Sequence, residues 1–179
     1  PLETGYLLRI GIDHFKEIND NFGQEYGDFV LRKTADCISG CISEVQKVYK
    51  LVADEFLILD VSSDKVRDAE KLYDKVREAI DRFIETNRFK VMYTVSGGVV
   101  PFETLVGDQY SEALKLTDFA LNEAKKLGRN RCYIFDRETY RKFLRKREIT
   151  QELREAVLNG CQGFAAFYQP VFAEDKKVP

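Results

Sequence analysis

The chain has 179 residues, 28 of them basic and 30 acidic, for a formal charge of -2. That length buries one good core and leaves little for a second domain. The near balance of charge excludes a global field drawing in nucleic acid or anionic lipid. No apolar run reaches the roughly 20 residues of a membrane helix, and residues 1–13 (PLETGYLLRIGID) lack the basic and apolar regions of a signal peptide. The expectation is a soluble, cytoplasmic piece, free or as the cytosolic part of a membrane-anchored receptor, with no direct membrane contact. Four cysteines show no CxxC spacing and the only histidine, His14, is distant from them. They read as reduced thiols, with Cys37 and Cys41, one helical turn apart, as small core residues rather than ligands.

Residues 6–12 (YLLRIGI) are nearly all apolar and short, which predicts a central strand covered on both faces. Asp13 is placed to cap the short helical turn that follows, with Phe15 and Ile18 inward and Asn19 at its end. Gly23 and Gly27 punctuate a loop, after which Asp28 opens a helix to about Ser39. Residues 48–59 (VYKLVADEFLIL) predict a β-hairpin with Asp54 and Glu55 at its bend. Two adjacent acids on a hairpin with buried flanks are explained either by a nearby cation or by an ordinary solvated turn.

Residues 62–64 cap a long helix in which Val66, Ala69, Tyr73, Val76, Ile80 and Phe83 alternate three and four apart. Residues 89–100 (FKVMYTVSGGVV) are β-branched and alternate as a strand, with Gly97 and Gly98 marking a bulge or a close backbone approach. A helix over residues 110–127 stops at Gly128, and residues 131–135 (RCYIF) supply a last strand. The order β, α, α, β, β, α, β, α, β predicts an α/β fold, a mixed central sheet flanked by helices. Residues 137–160 read as a charged helix linking to a new apolar run, residues 164–172 (FAAFYQPVF). The basic cluster RKFLRKR within that helix is flanked by Glu138 and Glu148 and reads as a solvated face, not a nucleic-acid patch.

Four separated motifs, IGIDHFKEINDNFGQEYGD, VADEF, VSGGV and AKKLGRNR, resemble in order and spacing the GGDEF domain family of diguanylate cyclases. The resemblance covers residues 5–136. The tail, ITQELREAVLNG followed by FAAFYQPVF, resembles the junction into an EAL domain, the family of cyclic-di-GMP phosphodiesterases. It implies a degenerate GGDEF domain over residues 1–136, a linker helix over 137–160 and the start of a truncated EAL domain over 161–179. It also implies a palm-like nucleotide-cyclase fold and a reaction in which two domains each hold one GTP, with homodimerisation as its corollary. The family's guanine-reading Asn and Asp fall on Asn19 and Asp28. An amide and a carboxylate together complement the acceptor and the adjacent donors of guanine. The phosphate-binding Lys and Arg fall on Lys125 and Arg129. The catalytic acids fall on Asp54 and Glu55, and the metal contacts on Asp54 and the backbone carbonyl of Ile12.

The match fails at the metal. The carboxylate the family carries two residues before Asp13 is Gly11 here, so one metal-binding acid of two remains and Mg2+ binding is expected to be weakened. The two signature glycines are Val52 and Ala53, whose side chains intrude where bare backbone approaches the nucleotide, valine being the worse change. The family's RxxD product site is replaced by SEVQ at residues 43–46, so feedback there is not expected. The helix with a DxLTGLxNR motif that usually precedes the first strand lies outside this chain.

These residues predict a catalytically inactive GGDEF domain that regulates an attached EAL phosphodiesterase, by binding GTP or mechanically. One alternative is a surviving diguanylate cyclase that makes cyclic-di-GMP from two GTP. Another is a dimerisation module that binds no nucleotide.

Overall fold

The structure is a computed structural model that describes residues 4–63, 65–86, 89, 91–105, 110–161 and 163–169. Its elements run β1 (Tyr6–Ile12), α1 (Phe15–Phe22), α2 (Gln24–Ser39), β2 (Lys47–Lys50), β3 (Glu55–Asp60), α3 (Val66–Thr86), β4 (Val95–Pro101), α4 (Tyr110–Lys126), β5 (Cys132–Ile134) and α5 (Arg137–Leu158). The chain divides into two units, residues 1–137 and residues 138–179.

In the first unit the five strands form one sheet in the order β2-β3-β1-β4-β5. β1 pairs antiparallel with β3 and β4, while β4 and β5 are parallel. The mixed sheet flanked by helices is the expected fold class. β1 sits at the centre and all seven of its residues are buried, as its unbroken apolar run requires. Its alternate side chains Tyr6, Leu8, Ile10 and Ile12 enter a core shared with Ile18 of α1, Val30 and Ile38 of α2, and Val76 and Ile80 of α3. Each such aliphatic side chain taken fully from water contributes about 1.5–3 kcal/mol.

The opposite face of β1, carrying Arg9 and Gly11, meets α4. Close packing there depends on Gly98 of β4, because a Cβ at that position would overlap the backbone of Ala120 and Leu121. The glycine pair therefore marks a close approach, one of the two readings its sequence allowed.

Four local expectations are corrected. α2 begins at Gln24, four residues before Asp28, because only Gly23 breaks the chain there (φ +84°), and its amide closes α1 on the Asn19 carbonyl at 2.9 Å. Gly27 is a buried helix residue, and Asp28 is not an N-cap. Asp13 caps no helix: the N-cap of α1 is His14, which makes no side-chain cap. The strand expected over 89–100 enters the ladder only at Val95, opposite the last residue of β1, Ile12, with one further backbone bond from the Asp13 amide to the Thr94 carbonyl at 2.8 Å.

The second unit contains nearly all of α5, laced by pairs such as Glu138 with Lys142 at 2.7 Å and Arg145 with Glu148 at 3.4 Å. Residues 164–169 form no strand, and residues 170–172 of the apolar run lie outside the described residues.

Candidate functional site

The C-terminal end of β1 gathers most of the residues singled out from the sequence. Gly11 lies opposite Glu55 of β3 and Ser96 of β4. The next residue, Ile12, donates its amide to the Asp54 carbonyl at 3.3 Å. The β2–β3 turn is thereby tied to the strand end. Within the turn, Ala53 adopts φ +52°, a left-handed conformation costly for any residue with a β-carbon. The backbone strain of this turn therefore falls on Ala53. Val52, expected to be the worse change, is 75% exposed.

Lys50 clamps this turn, donating to the Leu51 carbonyl at 3.1 Å and to the Ala53 carbonyl. Burial pushes its ammonium pKa down, with Asp54 and Glu55 opposing that shift.

Glu55 is held by cations. Arg9 donates Nε–H to Glu55 Oε2 at 2.7 Å and adds a second contact through Nη2. Arg9 is itself anchored on α4 by the Leu114 carbonyl at 3.2 Å and by Asp118 at 3.3 Å. On its other oxygen, Glu55 faces Lys125 Nζ at 3.9 Å. A Cβ placed on Gly11 would lie 3.1 Å from that same Nζ. The ammonium thus occupies the space into which a carboxylate at position 11 would extend. Arg9 carried no signal as a site residue in the sequence beyond being the one charge in an apolar strand.

Asp13 is also more than the sequence indicated. Only 2% exposed, it accepts from Thr94 Oγ1 and Ser96 Oγ, both at 2.7 Å, and from the Asn130 amide at 3.1 Å. It fixes the α4–β5 turn, and with it Arg129, at this end of the sheet. Lys125 and Arg129 do not lie on one helix. α4 ends at Lys126, and Arg129 sits beyond it at φ +60° with its side chain exposed.

Asn19 and Asp28 form a second cluster on α1 and α2. Asn19 Oδ1 fills the space above Gly27, where a Cβ would overlap it, so the helix pair closes on the amide next to the exposed Asp28. A separate cleft of about 540 Å3, lined by Ile18, Phe22, Ile84 and Tyr93 with His14 and Glu17 at its edge, contains neither of them.

The family profile "Diguanylate cyclase, GGDEF domain" matches residues 3–131. The chain belongs to the GGDEF family. It is 28% identical over 168 residues to the cyclic di-GMP phosphodiesterase NbdA of Pseudomonas aeruginosa, covering 93% of this chain and 21% of that protein. It is 32% identical over 129 residues to the diguanylate cyclase VdcA of Vibrio cholerae, covering 70% of this chain and 37% of that protein. The chain therefore spans well under half the length of these relatives. Among solved structures, the active GGEEF domain of a diguanylate cyclase from Vibrio cholerae is similar with a TM-score of 0.64 and 31% identity, over 76% of this chain and 86% of that one. The GGDEF domain of TpbB (YfiN) from Pseudomonas aeruginosa gives a TM-score of 0.68 at 26% identity, over 78% and 81% of the two chains.

GGDEF domains in general use GTP and Mg2+. The donor set here does not fit the metal. Gly11 offers no carboxylate, Glu55 is engaged by Arg9, and Lys125 brings a positive charge to the place of the absent acid. Among the described residues, no three carboxylate, thiol or imidazole side chains converge as ligands.

Proposed function

We propose that this GGDEF domain is a regulatory nucleotide receiver. It binds a guanine nucleotide with its base at Asn19 and Asp28 and its phosphates at Lys125 and Arg129, and makes no cyclic-di-GMP. The observation that carries the reading is the Lys125 ammonium beside Gly11. A cation there is compatible with phosphate oxygens and opposes the metal that would activate a 3′-hydroxyl. If the lost metal stabilisation amounts to about 4 kcal/mol, the reaction slows roughly a thousandfold.

The reading extends to an attached EAL phosphodiesterase domain, with α5 as the connecting helix and the domain opening near residue 161. Support comes from the match to NbdA, a phosphodiesterase by name, which runs over 168 residues, past the 129 shared with the cyclase VdcA. Nucleotide binding then biases the phosphodiesterase by a coupling free energy that acts equally in both directions.

Titration calorimetry with GTP and Mg2+, beside incubation with GTP and Mn2+ followed by chromatography, tests both halves. Binding without product is the expected result. Brisk synthesis of cyclic-di-GMP makes the domain an active cyclase, and no binding at about millimolar nucleotide leaves only a mechanical module.

A further inference from the structure

We infer that this site takes its guanine nucleotide free of divalent metal, with the Lys125 ammonium supplying the positive charge that Mg2+ would otherwise bring to the phosphates. The inference rests on the nucleotide-binding reading above and fixes the charge state of its ligand.

Three features of the Gly11 corner carry it. First, Lys125 Nζ lies against Gly11, 3.1 Å from the position of a Cβ, so the ammonium itself fills the metal's side of the site. Second, its acid neighbour Glu55 Oε1 stands at 3.9 Å, too far for a hydrogen bond. The ammonium therefore keeps N–H donors for another anion, and its side chain remains 24% exposed. Third, Arg9 holds Glu55 Oε2 through Nε at 2.7 Å and a second nitrogen, so Glu55 is left with Oε1, the oxygen that faces the Lys125 ammonium.

Asp54 is then the acid of the turn not held by Arg9, and Lys50 is folded over that turn. An incoming Mg2+ meets the Asp54 carboxylate and one oxygen of an Arg9-bound Glu55, with an ammonium beside it. A bare triphosphate meets the ammonium and, at the same end of the sheet, Arg129. Charge-assisted contacts of that kind are the stronger class of hydrogen bond.

The test is calorimetric titration of the protein with GTP in excess Mg2+ and again in excess EDTA. The expected affinities agree within about threefold, and Lys125→Met weakens metal-free binding by about tenfold or more. Gly11→Asp, which restores the acid next to flexible side-chain ends, is expected to shift the preference toward the Mg2+ complex. An affinity that falls more than about tenfold in EDTA overturns the inference while leaving nucleotide binding intact. Unchanged metal-free affinity in Lys125→Met also overturns it. No heat in either medium overturns nucleotide binding itself, and the inference with it.

Discussion

Asp13 and Asn130 stand 117 positions apart in sequence, yet the Asp13 carboxylate accepts the Asn130 backbone amide at 3.1 Å. With Thr94 and Ser96 as further donors, one buried charge joins the end of β1 to the approach of β4 and to the turn carrying Arg129. All three donate to it here, and of the three only the Asn130 amide has no lone pair to offer in return.

Asp13→Asn keeps the shape but replaces one accepting oxygen by an N–H2 group, which forces a Thr94 or Ser96 hydroxyl to reverse its role. We expect a loss of about 2 kcal/mol, from the weaker hydrogen bonds of a neutral amide and the reversed hydroxyl. It is read as a lower urea midpoint with an unchanged slope. A variant as stable as the parent would mean that the three donors find other acceptors.

Asp60 predicts the acid limb of stability. Burial pushes its carboxyl pKa up, but hydrogen bonds from the Ser62 hydroxyl and amide and from Gln46 outweigh it, and the net shift is downward. The geometry is close, with Ser62 Oγ at 2.6 Å and Gln46 Nε2 at 2.5 Å. A depressed folded-state pKa gives stability that is present above the unfolded value of about 3.9 and is lost as pH falls through the folded value. Ser62→Ala is expected to lower stability at neutral pH and to flatten its fall below about pH 4, seen in urea midpoints measured across that range. Parallel curves for the two proteins would remove Asp60 from the acid limb.

What the sequence made legible follows from periodicity. The central strand, the amphipathic α3 and the hairpin each repeat one pattern over enough residues to outvote exceptions, and their order determined the mixed sheet. What escaped it depends on neighbours distant in the chain. Gly27 resembles a loop glycine until Asn19 is placed against it. Asp13 has the spacing of a cap but faces β4, because the strand register turns it there. At the site, the loss of an acid at Gly11 could be read in one dimension. That a lysine 114 positions later fills the gap could not, because only the packing of α4 on β1 brings them together.

The pair Arg9 and Glu55 tests how far the site's electrostatics also support the fold. Their side chains are 10% and 16% exposed, so each charge is largely desolvated and removal of either leaves the other poorly compensated. Arg9→Met and Glu55→Gln are each expected to cost about 2 kcal/mol, and a double-mutant cycle to return a coupling of at least about 1 kcal/mol. Additive losses would show that Asp118 and the Leu114 carbonyl alone hold Arg9.

The signature positions separate backbone strain from the missing carboxylate at Gly11. Ala53 sits at φ +52°, so Ala53→Gly relieves a strained conformation and is expected to raise stability by about 1 kcal/mol. Val52 is largely exposed and carries no such strain, so Val52→Gly is expected to cost about 0.5–1 kcal/mol through the added freedom of the unfolded chain. The double variant should therefore unfold near the parent temperature while presenting the bare backbone of the family signature. It still lacks an acid at Gly11 and still holds Lys125 in that place, so we expect no cyclic-di-GMP from it with GTP and Mn2+. Appearance of the product on chromatography would overturn the proposed inactivity and show that bare backbone at these two positions suffices beside Lys125.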